Sequence, residues 1–71
     1  MFNMEDVILT IREKEIFELL VQDKTTKEIA ELLFISDKTV RNHISNVIQK
    51  LGVKERVHAI CKLVRLGILR I

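Results

Sequence analysis

Apolar residues recur along most of the chain at three- and four-residue spacing, the period of helices that bury one face, and no stretch alternates as a half-buried strand would. The pattern predicts helices only. The first opens at Thr10, which stands with Glu13 in the S/T-x-x-E spacing of a capping box, and it runs to about Val21 with Ile16, Phe17, Leu20 and Val21 on one face. Thr25 and Glu28 repeat the box and open a shorter helix that carries Ile29, Ala30 and Leu33 and ends near Leu33 or Phe34. Ser36 is the next N-cap, supported by Asp37 at the positive helix end and by Ile35 and Val40 at the two staple positions. The helix it opens reaches Leu51, after which Gly52 can take the left-handed backbone that closes it. A fourth spans about Glu55 to Leu66 and stops at Gly67; nothing ahead of it has the chemistry of a good N-cap.

The expected fold is therefore all-α, a four-helix domain with a central helix-turn-helix, one domain over residues 1–71 with residues 1–9 as a flexible or loosely packed arm. A chain of 71 residues buries only about 60% of its unfolded surface, enough for one modest core.

The third helix carries the most information. At about 100° per residue, Val40, Ile44, Val47, Ile48 and Leu51 fall on one stripe, while Lys38, Arg41, Asn42, Ser45 and Gln49 collect on the other side. An arbitrary amphipathic helix has a solvated polar face for no further reason. Here the helix follows a short helix and a tight turn of about four residues, the arrangement in which the second helix enters the DNA major groove by its N-terminal half. Arg can fork onto guanine, Asn can bridge adenine and Ser can serve either. Base contacts are accordingly assigned to Lys38, Arg41, Asn42 and Ser45, with Gln49 too far along the helix to reach a base edge.

Charge supports this only when its distribution is considered. The net charge is +2, yet residues 1–23 hold two bases against six acids and residues 24–71 hold ten bases against four. Such polarity suits a polyanion met by one side of the molecule. Lys24, Thr25 and Lys27 gather where the second helix exposes free N–H groups, which favour an anion. With Ser36, Thr39, His43, Lys50, Lys54 and Arg56 they outline a rim of phosphate contacts around the reading helix.

The stretch KTTKEIAELLFISDKTVRNHISNVIQKLGVKERVHAI, Lys24 to Ile60, resembles the LuxR/FixJ family of bacterial transcription regulators. The likeness rests on Lys27-x-Ile29-Ala30, Ile35-Ser36-x-x-Thr39-Val40-x-x-His43, Lys50-Leu51-x-Val53 and Arg56, and Thr10 to Phe17 is similar to the family's opening motif. The chain departs from the pattern at Ile11, Val57 and His58. The resemblance implies a domain that binds double-stranded DNA as a homodimer through its last helix. It also implies base contacts from Arg41, Asn42 and Ser45 and backbone contacts from Lys27, Thr39 and His43. RNA polymerase is a further candidate partner of such a regulator.

The fourth helix points to a dimer on its own account. Val57, Cys61, Val64 and Ile68 form an apolar stripe at i, i+4, i+7 and i+11 that a small domain has little means to cover, and a two-fold contact would bury it. The alternative is that the acidic N-terminal segment, with Val7, Ile8 and Leu9, folds over it. That surface also supports a rival function, a helical dimerising interaction module without DNA binding. The two separate on salt, because phosphate neutralisation weakens steeply with ionic strength and an apolar contact does not.

An enzyme is not expected: His43, His58 and the single Cys61 form no nucleophile and base pair at a recognisable spacing, and there is no Gly-rich loop or HExxH motif. No catalytic residue, metal, cofactor or small-molecule ligand is assigned. One cysteine fits a reducing compartment, and the absence of an apolar run of about 18 residues or of a basic, apolar leader predicts no membrane partner and a cytoplasmic location. With neither a receiver nor a ligand-binding domain in the sequence, regulation is expected to act through abundance.

Overall fold

The structure, a computed structural model, describes residues 9–71. It contains α1 (Ile11–Val21), α2 (Thr26–Leu33), α3 (Asp37–Leu51) and α4 (Arg56–Arg65), with no strand among the described residues. The expected arm, residues 1–9, lies outside the described residues except for Leu9, which packs half-buried against the core. Val7 and Ile8, the alternative cover for α4, fall in that segment.

Local chemistry sets the helix starts. At α1, Thr10 Oγ1 accepts from the Glu13 amide at 3.1 Å and Glu13 Oε1 accepts from the Thr10 amide at 2.9 Å. Thr25 and Glu28 reproduce both bonds at 2.9 and 3.1 Å ahead of α2. Two otherwise orphaned backbone donors are satisfied in each case. The Thr25 amide and hydroxyl, with Lys24 nearby, hold the Glu28 carboxyl below the usual carboxylate range against a small opposing effect of burial. Ser36 Oγ accepts from the Thr39 amide at 3.0 Å to cap α3, and Gly52 ends it at a φ of 66°, where glycine escapes the clash of a side chain. As its sequence foretold, α4 starts at Glu55 without a side-chain cap. Its hold on α3 is tertiary instead: Lys62 Nζ donates to the Leu51 carbonyl, one of the orphans at the end of α3, at 3.0 Å.

The turn between α2 and α3 is tighter than expected, three residues long at Phe34, Ile35 and Ser36. α3 packs against all three other helices and forms the hub of the domain. Ile16 and Phe17 from α1, Ile29 and Ala30 from α2, Val40, Ile44, Val47 and Leu51 from α3, Ala59 and Leu63 from α4, and Leu69 beyond it are buried together. Ile60 is half-buried against this core, and the small Ala59 is fully buried. With four core residues on one stripe, α3 is held firmly by that side, which leaves its other side to present a fixed surface.

Candidate nucleic-acid interface

Lys38, Arg41, Asn42, Ser45 and Gln49 are all exposed on α3, opposite the buried stripe. A helix with its side chains is about 10 to 12 Å across, and the major groove is about 12 Å wide. Small polar side chains on the outward face therefore matter as much as their hydrogen-bonding chemistry. Arg41 pairs with Asp37 one turn earlier, at an exposed i,i+4 spacing. Such surface pairs contribute only about 0.3 to 0.5 kcal/mol, less than the roughly 1 to 3 kcal/mol of a bidentate base contact. Arg41 can therefore exchange Asp37 for a guanine at small cost.

The proposed rim is brought to the same side of the fold in part. Thr25 and Lys27 are exposed and Lys24 half-buried at the start of α2. The Thr25 oxygen accepts from the Glu28 amide in the capping box, and an anion there would meet the donors left over, the free amides of the first turn. Ser36 likewise spends Oγ on its cap and lies 2.8 Å from the Thr39 hydroxyl, which orders the two side chains as one unit at the front of α3. His43 is half-buried on the same flank as Thr39. Lys54, exposed in the link to α4, and Arg56, exposed at the first position of α4, line a 530 Å³ groove together with Arg41, Ser45, Glu55 and Val57. The fold thus joins the outer face of α3 to the basic link, a juxtaposition that helical spacing could not supply.

Lys50 also has a partner within the fold. Its Nζ donates to Glu13 Oε1 at 2.6 Å, and Glu13 is only 3% exposed, the one buried charged residue among those described. Burial by itself raises the Glu13 carboxyl, but the Lys50 hydrogen bond and charge, with the Thr10 amide and hydroxyl, outweigh it and hold the group below the ordinary carboxylate range. Lys50 fastens the end of α3 to the start of α1. Sequence reasoning saw Glu13 only as a capping residue, and the pair is separated by 37 positions, beyond any local signal. The Asp37–Arg41 pair, by contrast, was open to recognition from its spacing.

The apolar stripe of α4 is divided by the structure. Val57 and Cys61 are exposed and Val64 is half-buried. Ile68 lies past the end of α4 and beyond Gly67, whose φ is 77°, so helical phase does not govern its direction. It lines a separate groove with Lys14, Val21 and Arg70, on the α1 side of the domain. Among the described residues no group of His, Cys, Asp or Glu side chains could hold a metal, and no helix is long and apolar enough to cross a membrane.

Residues 7–63 match the family described as bacterial regulatory proteins, luxR family. The chain is 72% identical over 60 residues to the spore germination protein GerE of Bacillus subtilis (strain 168), a match covering 84% of this chain and 81% of that protein. It is 54% identical over 54 residues to the transcriptional regulatory protein DesR of the same organism, covering 76% of this chain but only 27% of DesR. The solved structure of the transcription factor GerE superposes with a TM-score of 0.86 at 64% identity, covering 87% of this chain and 92% of that one.

Proposed function

Since the chain belongs to the luxR family of bacterial regulatory proteins and is a GerE-like DNA-binding transcription regulator, we propose that it binds double-stranded DNA as a homodimer and reads the major groove with α3. The observation that carries this reading is the outward face of α3, where Lys38, Arg41, Asn42 and Ser45 stand exposed on a helix anchored through its opposite side. Lys24, Thr25, Lys27, Ser36, Thr39, His43, Lys50, Lys54 and Arg56 position the duplex by its phosphates. Val57, Cys61 and Val64 form the core of the two-fold contact, in a cytoplasmic regulator with no catalytic role. By analogy with the spore germination protein GerE, its target genes belong to sporulation, and RNA polymerase is the partner through which it acts on them.

Selection of bound duplexes from random DNA tests the reading and yields the site. On that site, Arg41→Ala is expected to cost about 1 to 3 kcal/mol of binding and to relax the preference at one base pair; equal losses on selected and random DNA would remove Arg41 from the base-reading set. Lys27→Ala should weaken binding to every sequence alike and flatten the slope of log affinity against log salt by about one unit, as measured by titration at several salt concentrations. Homodimer half-sites should lie about 10 to 10.5 base pairs apart or at a multiple of that spacing, and full affinity for an isolated half-site would contradict the dimer.

A further inference from the structure

α2 bears a second surface that neither the core nor DNA contact accounts for. Leu32 is 53% exposed and Phe34, two residues on, is 94% exposed. Phe34 also closes α2 at a φ of 58°, a backbone region that bulky side chains avoid and glycine occupies freely. For folding alone this position would favour glycine twice over, because the ring is both strained and wet. Residues kept in such conformations are concentrated at functional sites.

The surroundings specify what could cover these side chains. Leu32 forms a ridge between two shallow grooves of 280 Å³ each, one lined by Glu15, Glu18, Leu19, Gln22 and Leu33 and the other by Lys24, Glu28 and Glu31. Four carboxylates thus face a single lysine across the ridge. One of them, Glu15, shares its charge with Arg12 at 3.6 Å, whereas the Thr25 amide and hydroxyl keep Glu28 in its charged form. Away from Lys24 the carboxylates would repel a duplex phosphate, and a ligand without apolar surface would leave Leu32 and Phe34 in water.

We infer that the exposed end of α2 docks a segment of another protein, an amphipathic helix whose apolar side chains seat on the Leu32 ridge and reach Phe34 two residues on, while flanking Lys or Arg side chains answer Glu15, Glu18, Glu28 and Glu31. Aromatic anchors ringed by polar contacts are the usual energetic centres of such interfaces. The inference goes beyond the DNA-binding reading and stands independently of it, because it concerns the free protein.

The test is NMR titration of the isotope-labelled, DNA-free chain with two synthetic helical peptides that share one leucine face, the first flanked by Lys and Arg and the second by Glu. The expected result is amide shifts within residues 15–22 and 28–34 for the basic peptide alone. Phe34→Gly should leave the thermal midpoint unchanged or higher, since glycine suits the left-handed backbone, yet weaken the peptide about tenfold, the size of one lost aromatic burial. Glu31→Lys should weaken it as well. No shifts in these segments, an equal response to the acidic peptide, or shifts confined to α4 would overturn the proposal. So would the same residues shifting with protein concentration alone, which would make a second copy of this chain the occupant.

Discussion

Replacing Glu13 with alanine is expected to cost about 2 to 4 kcal/mol at neutral pH. The substitution removes half of a capping box, a loss of about 1 kcal/mol, and strands Lys50. Breaking a fully buried pair by removing one partner costs about 3 to 5 kcal/mol; here the penalty is smaller, because the Lys50 side chain is 35% exposed and can turn to water. Domains are stable by about 0.05 to 0.15 kcal/mol per residue, roughly 4 to 10 kcal/mol for a chain of 71 residues. The variant therefore sits near the edge of folding, as urea unfolding will measure. Glu13→Gln should lose less, since an amide oxygen can still accept from the Thr10 N–H while the charge on Lys50 goes unanswered.

The same pair sets a pH dependence. The folded carboxyl titrates below its ordinary value of 4.5, so its contribution is fully present above that value and is lost as pH falls through the lower, folded one. The stability gap between the native chain and Glu13→Gln should be constant near neutrality and shrink only in acid. A gap that stayed constant into acid would show that the ionised carboxylate contributes nothing.

Phe17→Ala is expected to cost about 3 to 5 kcal/mol, enough by itself to leave a domain of this size largely unfolded at 37 °C. Phe17 is fully buried and is the largest side chain in the core that all four helices share. Truncation removes its transfer free energy and leaves a cavity that a hub helix packed on three sides has little freedom to fill. Urea midpoints and far-UV circular dichroism check this, and a loss below about 1.5 kcal/mol would mean that the core collapses around the gap. Because α3 is positioned by that core, DNA affinity should fall in proportion to the unfolded fraction, with sequence preference kept in the molecules that remain folded.

Much of this architecture was legible before any coordinates. Thr10 and Thr25 act as caps where their spacing to Glu13 and Glu28 put them, and Ser36 does so where Asp37 and the Ile35–Val40 staple put it. The missing cap at Glu55 was equally visible. The outward face of α3 followed from its period, and every residue assigned to it is exposed. What escaped was long-range or conformational. That Lys50 pairs with Glu13 became visible only when α1 came up against the end of α3. That Ile68, beyond the expected end of α4, lines a groove with Lys14 and Val21 was likewise out of reach of helical spacing. Phe34 gave no sign that it would be both left-handed and exposed, because only glycine or asparagine signals that backbone in advance.

By itself, then, the amino-acid order determined where three of the helices begin and which side of α3 faces outward. Capping bonds and helical periodicity act within three or four residues, so composition at that range suffices to specify them. Only the tertiary structure decided which distant groups the basic side chains meet. That choice depends on how the core draws distant helices together, and it is why Lys54 and Arg56 share a groove with Arg41 while Lys50 is bound to Glu13.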